Sequence, residues 1–109
     1  MQQNAFDPRN LFGYTRCMIR SFRHKGLETF FRSGSKKRIL AEHANRLVRI
    51  LDRLDAAQEL RDMNYPRSGL HPLSGDKKGQ YAVKVSGNWR VFFEFSDGDA
   101  YLVDYDDYH

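Results

Sequence analysis

Cysteine is nearly absent: Cys17 stands alone in a chain of 109 residues. A single thiol cannot close an internal disulfide, and a thiolate zinc site would need further ligands that the sequence does not offer, so a reduced compartment fits. Long apolar runs are missing too. The longest extend only a few residues, far below the roughly 20 that span a bilayer. The start carries no basic, apolar and small-residue signal pattern, and the expectation is a cytoplasmic protein with no membrane partner. There is no internal repeat and no low-complexity tract. At this length a second core has no room, which excludes a two-domain architecture.

What is present is an ordinary globular composition, 40% hydrophobic and 29% charged, with a formal net charge of +4. That excess of positive charge favours polyanionic partners, because Lys and Arg neutralise phosphates and release counterions. The charge is also uneven. Arg20, Arg23, Lys25, Arg32, Lys36, Lys37 and Arg38 crowd the first third, and Asp97, Asp99, Asp104, Asp106 and Asp107 crowd the end. Arg20, Arg23, Lys25, Lys36 and Lys37 are therefore candidate phosphate contacts, although two solvated faces that aid solubility would read the same way.

Residues 1–17 lack a sustained period and precede a second methionine, Met18. They form an N-terminal extension that is either a disordered arm, one that docks through Phe6, Leu11, Phe12 and Tyr14, or the result of too early a start codon. The folded domain is expected over 18–109. Met18 to Phe22 reads as a short strand, and Leu27, Phe30 and Phe31 share one face of a short helix that Ser33, Gly34 and Ser35 break. From about Lys37, Leu40, Ala44, Leu47, Val48, Leu51 and Leu54 recur at helical spacing, with Arg46, Arg49 and Arg53 outward. The two helices are expected to form a hairpin on the sheet. A final turn carries Leu60 and Met63, and the stretch from Asn64 to Gly69 is a loop by its Pro and Gly content that leads into Leu70 to Gly75.

Three alternating runs follow: Tyr81, Val83 and Val85; Trp89, Val91, Phe93 and Phe95; Tyr101, Val103 and Tyr105. Ser86, Gly87 and Asn88, and then Ser96 to Asp99, suit hairpin turns. The pattern predicts an α+β fold with a short N-terminal strand, a helix hairpin and an antiparallel three-stranded meander.

That outline gathers His71, before the first strand, Arg90 on the middle strand, and Tyr108 with His109 just past the last. Arg90 faces away from the Trp89 set, because strand side chains alternate. Metal-free RNA cleavage needs a base for the 2′-OH, a cation for the charged phosphorane and an acid for the leaving 5′-oxygen. Histidine titrates near neutrality and arginine presents a planar charged fork, so these four residues can supply that chemistry. Blander roles fit each one equally: a turn His before Pro72, a surface Arg, a frayed Tyr-His end. On residues alone, a binding domain and a ribonuclease both remain open.

The start MIRSFRHKGL, the middle LHPLSGDKKGQYAVKVSGNWRVFFEF and the end DGDAYLVDYDDYH resemble the HigB branch of the RelE/ParE toxin superfamily along nearly all of 18–109. The ordered set of Leu-His-Pro-Leu, Asn-Trp-Arg and a terminal Asp-Tyr-His carries most of the specificity. The resemblance implies a RelE-like microbial ribonuclease fold and the toxin half of a type II toxin–antitoxin pair. It further implies a ribosome-dependent, metal-independent endoribonuclease that cuts translated mRNA. His71, Arg90, Tyr108 and His109 match family catalytic positions. A HigA-like helix-turn-helix antitoxin is the implied partner, with operator DNA contacted only through it, and no cofactor is implied.

One departure stands out. The family motif often has a basic residue where this chain has Ser74, and Lys77 or Lys78 in the following loop could reach in its place. The terminal carboxylate and Asp107 would favour a charged His109, which suits the acid; His71 is then the base, Arg90 the clamp and Tyr108 a stacking surface. Three other readings compete: a catalytically weak binding member of the same fold, a ParE-like gyrase poison, and a metal nuclease using Asp104, Asp106, Asp107 and His109.

Overall fold

The computed structural model describes residues 18–108; the expected extension over 1–17 and His109 lie outside them. The first helix, α1 (Lys25–Ser33), starts where His24 Nδ1 accepts the Leu27 N–H at 2.9 Å. It stops at Gly34, whose φ of 81° lets its N–H close back on the Phe30 carbonyl. Only a left-handed residue makes that closure without strain, so the Ser-Gly-Ser break acts through its glycine.

The second helix, α2 (Ala44–Ala56), begins later than its periodicity predicts. Leu40 is extended, and a 3₁₀ turn at Ala41–His43 leads in. Ala44, Leu47, Ile50, Leu51 and Leu54 are buried, whereas Leu40 and Val48 are exposed. Two positions in the expected stripe are thus corrected. The buried arc centres on Leu47, Leu51 and Leu54, and Ile50 falls inside it while Val48 falls outside. A further 3₁₀ turn, Leu60–Met63, buries Met63 and is fixed by reciprocal capping between Glu59 and Asp62.

The sheet is antiparallel in the order β1 (His71–Pro72), β2 (Gln80–Ser86), β3 (Trp89–Ser96) and β4 (Asp99–Asp107). The expected meander is therefore extended by one short strand. His71 pairs with Ala82 and Pro72 with Tyr81; Pro72 is tolerated because β1 is an edge that needs no further donor. At the other edge Ile19 and Phe22 bridge β4 in parallel, opposite Ala100 and Val103. The expected N-terminal strand thus joins the sheet as isolated bridges.

A bulge in β4 decides which side chains share a face. Leu102 and Val103 together oppose Phe93, since Phe92 pairs with Asp104 and Glu94 with Tyr101. Leu102 takes a φ of 54° to allow this. An extra residue flips the alternation. Ala100, Val103 and Tyr105 are consequently buried, and Tyr101 goes to the face of Glu94 instead of the core expected for it. The helices, Val83, Val85, Val91 and Phe93 form one core on one side of the sheet. The opposite side carries a smaller buried cluster of Leu73, Ala82 and Phe92.

Candidate active site

Phe92 follows Arg90 by two positions on β3, so both point to the outer side of the sheet. Cross-strand pairing builds two adjacent rows there: His71, Ala82, Phe92 and Asp104 in one, Lys84, Arg90 and Asp106 in the next. Phe92 is only 4% exposed because other groups cover it. The Tyr108 ring meets it edge-on at 5.7 Å, and Lys77 Nζ sits 5.4 Å from its centroid. The His71 ring lies 6.0 Å from that of Tyr108. His71, Lys77 and Tyr108 therefore gather about a buried phenyl, on the face that Arg90 shares from the next row.

Each side chain is held locally. His71 Nδ1 lies 2.9 Å from the Gly69 carbonyl. A carbonyl only accepts, so Nδ1 carries the proton and Nε2 is left for chemistry. Arg90 Nη1 donates to the Gly87 carbonyl at 2.7 Å and the Trp89 carbonyl at 3.1 Å, which leaves Nε and Nη2 as donors. The Tyr108 N–H donates to the Asn88 carbonyl at 2.7 Å, fixing the chain end beside the β2–β3 turn. Lys77 is brought over Phe92 by the 3₁₀ turn Gly75–Lys77, its N–H turned toward the Ser74 carbonyl.

Beneath Arg90 the core is aromatic. Trp89 and Tyr105 pack at 4.8 Å, and a 2.6 Å hydrogen bond joins the buried His43 Nδ1 to the Tyr105 hydroxyl. Burial pushes the Tyr105 phenol above its ordinary value, partly opposed by the Leu40 backbone. Next to the site, a cleft of about 430 Å³ runs along β4, with Lys37 and Arg38 on one wall and Asp104 and Asp106 on the other.

The basic residues chosen from the sequence divide. Lys77 lies over Phe92, and Lys37 lines the neighbouring cleft. Arg20 is not: it pairs with Asp99 at 3.1 Å, at the end of β4 far from Asp107. Arg23, Lys25, Lys36 and Lys78 are exposed, and none lines the cleft. Sequence reasoning missed Phe92 and Lys84. The signal was available, because an aromatic and a cation with the same strand parity as Arg90 had to share its face.

A family model described as the RelE-like toxin of type II toxin–antitoxin system HigB matches residues 20–109. The chain belongs to this toxin family. Among curated proteins, the Endoribonuclease HigB of Proteus vulgaris is 41% identical over 92 residues, covering 84% of this chain and 100% of that protein. The Toxin HigB-1 of Vibrio cholerae serotype O1 is 34% identical over 85 residues, covering 76% of this chain and 90% of that protein. The α+β fold with its antiparallel sheet agrees with a RelE-like toxin, and membership of a type II system implies an antitoxin partner.

Proposed function

We propose that this HigB-family toxin cleaves translated mRNA on the ribosome, without a metal, through His71, Arg90, Tyr108 and His109. The chain is a type II toxin with endoribonuclease activity. The observation that carries this reading is the single sheet face on which the His71 and Tyr108 rings and Lys77 gather about Phe92, with Arg90 in the next cross-strand row.

In this reading His71 Nε2 takes the proton of a ribose 2′-OH, since Nδ1 is committed to Gly69. The 2′-oxygen attacks the adjacent phosphorus. A P–O2′ bond forms, the P–O5′ bond breaks, and the products are a 2′,3′-cyclic phosphate and a 5′-hydroxyl. Arg90, through Nε and Nη2, balances the charge that develops on the phosphorane, and Lys77 adds the second cation that Ser74 does not provide. Tyr108 offers a stacking face to a base, and His109, next along the chain, protonates the 5′-oxygen. A translating ribosome is a cytoplasmic target, and among the described residues no helix is long and apolar enough to cross a membrane.

Deleting Tyr108 and His109 tests this reading. The truncated chain should fold and bind its antitoxin, while primer extension on cellular mRNA loses the new 5′ ends seen with the full chain. A truncation that still cuts removes the terminus from the mechanism. Ser74 favours a second reading, a catalytically weak binding member; ribosome binding with no new 5′ ends from the full chain would establish it. The antitoxin is proposed to be HigA-like, with a helix-turn-helix that alone touches operator DNA. Co-purification with the product of the adjacent gene checks that.

A further inference from the structure

Away from the sheet face, one cavity is walled by positive charge. It lies between α2 and the loop that leads to β1, holds about 230 Å³, and is lined by Arg46, Arg49, Arg53, Arg67, Lys84 and Tyr65. Among the described residues no carboxylate belongs to its lining. Cations gathered in a concave cleft repel one another and concentrate anions.

The groups are held for that task. Arg46 Nη1 donates to the Val85 carbonyl at 3.0 Å, and the Arg53 guanidinium stacks 4.7 Å from the centroid of the Tyr65 ring. The Tyr65 hydroxyl is buried and has no hydrogen-bond partner among the described residues. A buried donor left unmatched is costly, so the ring on which Arg53 stacks brings an unmet demand for an acceptor to the wall of the cleft. Burial pushes the phenol up while Arg53 and Arg46 pull it down, so both cations act on this hydroxyl.

Arg67 adds a second, independent sign. Pro66 and Arg67 are the middle residues of a turn closed by the Ser68 N–H on the Tyr65 carbonyl at 3.0 Å. Arg67 has a φ of 71°, the type II position where glycine is relaxed. An arginine there is strained, and it lines the cleft. Lys84 connects the two sites: it pairs across the sheet with Arg90 and also lines the cavity.

We propose that this cleft binds a backbone phosphate of an RNA strand that continues, past Lys84, onto the sheet face. The volume is below the roughly 300–1,000 Å³ of sites that enclose a drug-sized ligand, which suits one phosphodiester group and no whole nucleotide. Arginine forks match carboxylates as well as phosphates. Continuity with Arg90 favours RNA over an acidic segment of the antitoxin. The inference rests on the reading of the sheet face as the place where RNA is cut.

The test uses the full chain with His71→Ala to prevent cutting, and compares it with the same chain carrying Arg49→Gln and Arg67→Gln. Fluorescence anisotropy follows a labelled trinucleotide and a labelled twelve-nucleotide RNA across a salt series. The trinucleotide should bind both proteins equally. The longer RNA should bind the charge-removed variant more weakly, with a log Kd against log salt slope shallower by about 0.7 for each phosphate no longer neutralised. Arg49→Lys with Arg67→Lys should retain most of the slope, which separates charge from folding. Equal binding of the longer RNA overturns the cleft alone. Unchanged RNA binding with a tenfold fall in antitoxin affinity overturns it in favour of a protein interface. A parent that binds neither RNA overturns the cleft and leaves the sheet face, whose proposed cutting takes place on the ribosome, to the truncation test.

Discussion

Phe92 and Phe93 are neighbours on β3 that serve opposite faces, so truncating each in turn separates stability from activity. Phe93 is fully buried in the main core. Phe93→Ala should cost about 3–5 kcal/mol. At roughly 4–8 °C per kcal/mol for a domain of this size, the melting temperature falls by at least about 12 °C. Phe92 belongs to the small cluster with Leu73 and Ala82, beside exposed groups. Removing its ring opens that cluster to water and leaves no closed cavity, so Phe92→Ala should cost only the transfer of one side chain, about 2 kcal/mol.

Activity should follow the other order. Without Phe92, Tyr108 forgoes an edge-on ring interaction of about 0.5–1.5 kcal/mol. Lys77 forgoes a cation–π interaction of about 0.5–1 kcal/mol. Together these amount to about 1–2.5 kcal/mol, a five- to seventyfold drop in kcat/KM. The assay is cleavage rate by primer extension, with thermal melts on the same preparations. Phe92→Ala cutting within twofold of the parent, or Phe93→Ala melting within a few degrees of it, would refute the assignment of faces.

Lys77→Ala with Lys78→Ala should abolish toxicity in cells, and Lys78→Ala alone should leave it nearly intact because Lys77 is the one over Phe92; full toxicity in the double variant removes the compensation for Ser74. Tyr105→Phe leaves the buried His43 Nδ1 without its 2.6 Å partner, and urea unfolding should show a loss of about 1–3 kcal/mol. Arg67→Gly relaxes the left-handed turn and should stabilise by about 0.5–1 kcal/mol while weakening binding of long RNA; a melt below that of the parent would contradict the strain. The backbone N–H groups of Gln58 and Glu59 hold the Asp62 carboxyl below its ordinary value. Its contribution is therefore present above the unfolded pKa and lost as pH falls through the folded one. The melting difference between parent and Asp62→Asn should shrink in that acid window, and a difference independent of pH would exclude the linkage.

Element types, the three long strands and the parity of Arg90 are legible in the linear chain, because hydrophobic period and turn residues are local properties. The ordered motifs around His71, Arg90 and the terminal Tyr-His are equally legible, since they lie in the order of residues. The rest depends on how distant segments meet. The bulge at Leu102 moves Tyr101 off the core and sets Asp104 beside Phe92, and one inserted residue leaves no periodic trace when the strand pattern remains hydrophobic on both sides. The edge strand at His71–Pro72 is too short to show alternation and exists because Ala82 and Tyr81 pair with it. The Arg46, Arg49 and Arg53 row reads in sequence as a solvated helix face. It becomes one wall of a charged cleft only when the turn at Arg67 and the edge of β2 at Lys84 close against it, a meeting in space that no local pattern encodes.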